Sequence, residues 1–416
     1  MGSYAKHTTF TLAGALCAVA VATGSAGAQT FGGPDAVERQ IERDGEQVGL
    51  LPEPGLLEQW QAGKKELTDD TGLSFSIDYT SLAFAATEST GDDFAASGMV
   101  RLFGAWELIG SGTPNTGALV FKGEHRHAYT DVAPSGLGFD IGYVGILNGP
   151  FSDQGARLTN LYWRQRLGDG RATVTAGLLD VTDYVDAYAL GSPWTHFSNL
   201  VFSTGSGTIG APNESALGLA SGVFLTDNFY AIAGIADANA DPTEPFHSFG
   251  TFFDEKDFFT SFEIGWTTSP ERLIFDNIHA TFWHTDGSRE FGVNDGWGVA
   301  GSASWFIEDQ WLPFLRGGFA NDGGALLEAS VSAGVGWQPE PGPGQDVLGF
   351  GLNWGRPNGD SFGPGLDDQW SGELFYRLNV SETLAVTPDA QVVVNPALDP
   401  TKDLIGIFGL RARLAL

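Results

Sequence analysis

Leu73-Ser74-Phe75-Ser76-Ile77-Asp78-Tyr79-Thr80 alternates apolar and polar side chains at every step. A β-strand turns successive side chains to opposite faces, so this stretch, within Gly72 to Ala86, sets Leu73, Phe75, Ile77 and Tyr79 against Ser74, Ser76, Asp78 and Thr80. The period is two, not 3.6. The reading is an extended strand with one apolar and one wet face.

The same alternation recurs down the chain. In 117 to 129, Leu119 and Phe121 oppose Val120, Lys122, Glu124 and Arg126; at the end, Leu404, Gly406, Phe408, Leu410, Ala412, Leu414 and Leu416 oppose Arg411 and Arg413. About sixteen such segments begin near 72, 96, 117, 157, 171, 214, 228, 257, 273, 296, 311, 326, 346, 367, 382 and 403, and 137 to 147 alternates weakly besides. Tight reversals fall at Gly168-Asp169-Gly170, Thr226-Asp227-Asn228, Ser269-Pro270-Glu271, Glu308-Asp309-Gln310 and Val380-Ser381. Longer connections separate these hairpins, roughly 130 to 156, 181 to 213, 238 to 256, 286 to 295 and 357 to 366. A soluble sandwich has no reason to sort its loops by length. A membrane barrel does, with short turns at the periplasmic rim and long loops outside. The expected fold is therefore all-β, a transmembrane antiparallel β-barrel of about 16 strands over 71–416, preceded by a short helical segment.

That segment, 29–70, is expected to lie in the periplasm. Val37 and Ile41 stand four apart, and Leu56, Leu57, Trp60 and Leu67 follow Pro54-Gly55, so Pro52 and Pro54 divide it into two short helices. Trp60 and the leucines need cover, which favours packing under the barrel mouth. Residues 1–28 carry a lone Lys6, an apolar run from Phe10 to Ala22 and the small-residue end Ala26-Gly27-Ala28, the pattern of a secretory signal cut before Gln29. The one cysteine, Cys17, lies within it, so the exported chain would carry no disulfide.

No stretch after the signal offers 18 uninterrupted apolar residues, although 42% of the chain is hydrophobic, so a membrane crossing must use strands. The 58 glycines and 12% aromatics suit close strand packing and interfacial girdles. A formal charge of −30 argues against nucleic acid as a partner and for an acidic, solvated surface.

In so acidic a protein the phase of the few basic residues is informative. Lys122, Arg126, Arg164, Arg166, Arg316, Arg377, Arg411 and Arg413 all fall on the polar side of their strands. A charge turned to lipid would cost about 2–4 kcal/mol at mid-depth, so these side chains are expected in the lumen. There they either line a solute path or brace the wall by pairing with Glu124, Glu373 and other carboxylates.

Several runs resemble the carbohydrate-selective porins of the OprB type. They are Trp60 through Gly72, Leu161-Tyr162-Trp163-Arg164-Gln165 with Ala176-Gly177-Leu178, Phe197-Ser198-Asn199-Leu200-Val201-Phe202, Glu373-Leu374-Phe375-Tyr376-Arg377, and above all Leu384 through Pro396. The resemblance runs from about Trp60 to the C-terminus. It implies a sixteen-stranded barrel in the outer membrane of a Gram-negative bacterium, passing sugars such as glucose by facilitated diffusion. Leu416 departs from it, standing where outer-membrane proteins usually end in an aromatic residue.

A sugar offers hydroxyls at its rim and CH faces above and below, so a selective channel sets hydrogen-bonding groups beside flat aromatics. The loops 130 to 156 and 181 to 213 are the candidates to fold inward; the second carries Asp183, Tyr184, Asp186, Tyr188, Trp194, His196 and Asn199. The candidate solute-binding set is Lys122, Glu124, Arg126, Arg164, Arg166, Asp183, Trp194, Glu373, Arg377 and Arg411. Catalytic, metal and cofactor signals fail on context. Gly205-Ser206-Gly207-Thr208-Ile209-Gly210 matches a nucleotide-loop spacing but precedes Pro212 and a strand, and His125 and His127 share the apolar face near a strand end, an interfacial position. The expected partners are small carbohydrates and outer-membrane lipid, with monomer and homo-trimer both open. The alternative is a barrel with an occluded lumen that binds or builds through its outer loops.

Overall fold

Alternation of side chains becomes sixteen strands hydrogen-bonded edge to edge, each antiparallel to its neighbours, with the first closing against the last. The structure is a computed structural model that describes residues 31–210 and 214–416; the expected signal segment and Cys17 lie outside them. The strands are β1 Leu73–Ala86, β2 Phe94–Ile109, β3 Gly117–Ala128, β4 Gly155–Leu167, β5 Ala172–Leu179, β6 Ala216–Phe224, β7 Phe229–Asp237 and β8 Phe258–Thr267. They continue with β9 Asn277–Thr285, β10 Gly296–Ser304, β11 Trp311–Asp322, β12 Leu327–Trp337, β13 Val347–Pro357, β14 Gln369–Asn379, β15 Leu384–Val394 and β16 Leu404–Ala415. Closure satisfies every strand edge from within, which a sheet in hydrocarbon requires. No helix among the described residues is long and apolar enough to cross a membrane.

The register fixes the two faces. On β16, Leu404, Phe408 and Leu410 lie outside, more than half exposed, while Ile405, Arg411 and Arg413 are buried inside. All eight basic residues read as inward are buried. The long loops leave one rim and most short turns the other; the departures include 323–326, brief on the long-loop rim, and 268–276 and 338–346, extended on the short-turn rim.

Two local expectations change. The ninth strand begins at Asn277 and not near 273, because Pro270–Arg272 forms a 3-10 turn held by Arg272 Nε donating to Asp276 at 2.6 Å, and Leu273 and Ile274 are buried behind it. The weakly alternating 137–147 is no strand. It contributes to the helix Pro134–Asp140 and an inward loop in which Leu137, Ile141, Tyr143, Val144 and Leu147 are fully buried.

The hydrophobic core therefore sits inside the barrel, beneath two long loops. Phe197 of the second loop places its ring 4.7 Å from Phe202, 4.9 Å from Phe375 on β14 and 5.6 Å from Phe314 on β11. Each such buried aromatic contributes roughly 1.5–3 kcal/mol. The helices ahead of the barrel divide as the prolines suggested, into α1 Val37–Glu46 and α2 Gly55–Thr71. Their roles reverse the expectation that Trp60 and the leucines are covered. It is α1 that enters the barrel mouth, while α2 has no buried residue and leaves Leu56, Trp60 and Leu67 exposed.

Candidate functional site

The loop 180–215 crosses the lumen because the wall holds its backbone. Glu373 on β14 accepts from the Ser198 and Asn199 amides at 2.6 and 2.9 Å. Arg411 on β16 donates to the Pro193 and His196 carbonyls at 2.6 and 2.7 Å. Further round the wall, on β8, β9 and β11, Asp186, at φ +50°, meets His279 Nε2 at 2.7 Å and Arg316 Nη2 at 2.6 Å, and its amide donates to Glu263 at 3.0 Å. Arg316 also stacks 3.9 Å over the Tyr188 ring. Charge-assisted bonds of this kind are the stronger class, so the loop is pinned at both ends of its crossing.

The chain ahead of the barrel forms a second inward element. Phe31 packs 4.7 Å from Phe224, over Gly222, where a Cβ would lie 2.4 Å from the Phe31 ring. The Gly33 amide donates to the Asp183 carbonyl at 2.6 Å, and Ser192 Oγ donates to Asp35 at 2.6 Å, so residues 31–36 are stitched to the crossing loop. Then α1 turns its polar side chains to the wall: Glu38 pairs with Arg164 and lies 4.0 Å from Arg166, and Asp44 pairs with Arg413. Gln47, just past the helix, accepts from Arg377 at 2.5 Å.

Two cavities flank this partition. On the long-loop side one of about 510 Å³ is lined by Arg126, Arg157, Asp180, Thr182, Trp194 and Glu214. On the short-turn side one of about 320 Å³ is lined by Arg39, Arg43, Leu190, His196, Phe306 and Arg377. Pro34 lines both.

The ten sequence candidates thus separate by what they touch. Glu373 and Arg411 hold the crossing loop, and Arg164, Arg166 and Arg377 face the N-terminal segment. Lys122 lies 3.6 Å from Asp183 at the root of the loop, and Glu124 accepts from Arg126 Nε at 2.8 Å. Arg126 and Trp194 face the larger cavity directly. Trp194 Nε1 has no protein acceptor among the described residues, and the indole stacks 4.5 Å from the Arg101 guanidinium. Sequence reading missed Arg101, bonded to Asp78 at 2.9 Å, and the pair Arg157–Glu214. The phase of Arg101 opposite Val100 and Leu102 carried that signal; nothing local marks Glu214.

The electrostatics are uneven. Burial pushes the Asp183 carboxyl up to about 8, against the opposing pull of Lys122. Burial would also raise Glu214, but Arg126 and Arg157 hold it at about 2, an anion at the cavity wall. Burial, then Arg377, Arg43 and Arg411, keep the His196 imidazole well below its ordinary range. Among the described residues no group of three or more His, Cys, Asp or Glu side chains is placed to hold a metal ion.

A closed antiparallel barrel of sixteen strands, apolar outside and crossed by an inward loop, defines a porin-type channel. The carbohydrate-selective porin, OprB family profile matches residues 70–302, more than half of the chain, and the protein belongs to that family. Among solved structures, the high-pH structure of OprB from Pseudomonas putida superposes with a TM-score of 0.65 at 16% identity, covering 86% of this chain and 97% of that one. A porin variant from Rhodopseudomonas blastica superposes at 0.51 with 11% identity, covering 83% and 100%. These likenesses concern the fold. A search of curated proteins returns no match. The protein is an outer-membrane carbohydrate porin, and its family and fold are those of channels.

Proposed function

We propose that small uncharged carbohydrates, glucose among them, cross the outer membrane of a Gram-negative bacterium through the two cavities, passing Pro34 between them. One observation carries this reading. The larger cavity sets the Trp194 indole beside converging polar groups of Arg126, Arg157, Asp180 and Thr182. Its volume of about 510 Å³ lies within the range of small-molecule sites, and its polar groups match a rim of hydroxyls. Lys122, Glu124 and Asp183 support this wall from behind. Glu373 and Arg411 act on the solute through the loop they hold, and Arg164, Arg166 and Arg377 through the N-terminal segment.

Trp194→Ala tests the site, since it removes the flat indole beside these polar groups. Loss of that aromatic face should raise the glucose concentration that half-blocks the current about 2–10-fold. An unchanged half-block would remove Trp194 from the solute path.

The same reading adopts a homo-trimer, joined through the half of the outward wall of β1 to β3 nearer the long-loop rim, clear of Phe75 at the short-turn end. There Tyr79 Oη lies 3.1 Å from His127 Nε2 and 2.5 Å from Tyr129 Oη, a polar cluster on a face otherwise turned to lipid. Light scattering of the detergent-solubilised protein distinguishes one barrel from three.

A further inference from the structure

Helix α2 is tied to the short-turn rim at both ends. Ahead of it, Glu53 accepts from the Thr383 amide at 2.7 Å in the turn between β14 and β15. Behind it, Trp106 Nε1 donates to the Thr71 carbonyl at 3.1 Å, and the Glu107 amide donates to the Gly72 carbonyl at 2.9 Å. Since β15, β16 and β1 lie between those anchors, the helix runs along the rim, across the strand ends.

Its faces are sorted. Leu57, Gln61, Lys64 and Thr68 are half-buried on the side toward the barrel. Leu56, Trp60 and Leu67, spaced by four and seven, fall within an arc of about 40° that lies about 90° round the helix from that side. They are 81%, 40% and 36% exposed. Val48, Leu50 and Leu51, just ahead of the helix, are exposed as well. Lys65 lies diametrically opposite, paired with Asp69 at 2.8 Å in solvent. The apolar stripe is continuous with the lipid-facing wall, for the Trp60 ring meets Phe75 edge-on at 6.1 Å and Lys64 Nζ stands 5.7 Å over the same ring. Phe75 is on the outward face of β1, beside Gly104 of β2, in register with Leu73 and Ile77.

We propose that α2 is an interfacial helix seated in the phospholipid headgroups of the periplasmic leaflet, with Leu56, Trp60 and Leu67 turned into the acyl boundary. A helix lying flat with one apolar stripe and a charged back has the form that partitions to such a boundary, and here the barrel wall sets its depth. The helix thus extends the aromatic belt of the wall beyond the barrel and fixes the height at which the N-terminal segment turns into the lumen.

The test uses the full chain with Cys17 replaced by Ser, reconstituted in vesicles of phosphatidylethanolamine and phosphatidylglycerol. Nitroxide labels are placed singly at Leu56→Cys, at Lys65→Cys and, as a lipid-facing reference, at Leu410→Cys. Collision rates are read with oxygen, which concentrates in acyl chains, and with a water-soluble nickel chelate. The expected result is a label at 56 that is oxygen-accessible and shielded from nickel, as at 410 but shallower, and a label at 65 with the reverse ratio. Equal nickel access at 56 and 65 would overturn the proposal by placing the stripe in water. Shielding of 56 from both reagents would overturn it in favour of a protein contact.

Discussion

Arg413, near the end of the last strand, grips Asp44 of α1 with both guanidinium ends, at 2.6 and 2.7 Å, across 369 residues of sequence. The same guanidinium reaches Asp78 on β1 through Nε at 2.8 Å, so one side chain joins the barrel seam to the segment that fills its mouth. A basic residue placed inward by strand phase thus serves the wall and the N-terminal segment together.

Replacing Arg413 by Ala leaves Asp44 and Asp78 without this cation. Breaking a buried pair from one side costs on the order of 3 kcal/mol, because the remaining charge is stranded. Urea unfolding should show that loss. Limited proteolysis should also cut α1 faster in the variant, while an unchanged cleavage rate would mean that α1 is held by other contacts.

Removal of residues 31–46 takes away Pro34, which lines both cavities, along with the segment bonded to Asp183 and Ser192. The shortened protein should conduct more than the full chain at equal salt and discriminate less between glucose and maltose. Equal conductance would place the narrowest point in the crossing loop alone.

Glu373→Ala deletes the acceptor of two buried amides, Ser198 and Asn199. Each donor left unsatisfied costs about 1–3 kcal/mol, and the loop gains freedom where it crosses the pore. Single-channel records should show added open-state noise alongside the lower stability. A quiet channel would show that Arg411 and Phe197 suffice to hold the loop.

His196 gives a dependence on pH with a definite sign. Its imidazole is depressed in the folded barrel by burial and by Arg377, Arg43 and Arg411, whereas the unfolded chain titrates near the ordinary value of 6.5. Below that value the unfolded state binds a proton that the folded state refuses, so His196 lowers stability as pH falls from about 6.5 toward the folded pKa. His196→Gln should therefore lose less stability than the parent between pH 7 and 5. Parallel pH profiles for the two would contradict the burial assigned to this ring.

What the sequence disclosed follows a simple division. Strand phase is local, recurs every two residues and is enforced by lipid on one side, so the inward set from Lys122 to Arg413 was legible from alternation alone. The partners of those residues were not. Contacts such as Arg413 to Asp44 or Arg377 to Gln47 join segments 369 and 330 residues apart, and α1 docks through charge and amide groups with only Val37 and Gln40 fully buried. Apolar periodicity is silent about such an interface. It misled in α2, where Leu56, Leu67 and Trp60 suggested burial under the barrel mouth but stay exposed along the flank of the helix. At Leu273 and Ile274, apolar residues suggested a strand, whereas the Asp276–Arg272 bond holds a turn.

Single-channel conductance of the purified full chain in a planar bilayer, with glucose, maltose and an amino acid titrated in turn, tests the central claim most directly. The expected result is a steady open channel whose current glucose reduces saturably, as a solute occupying the cavity at Trp194 must do. Correctly folded barrels that carry no current, or a current indifferent to all three solutes, would contradict it.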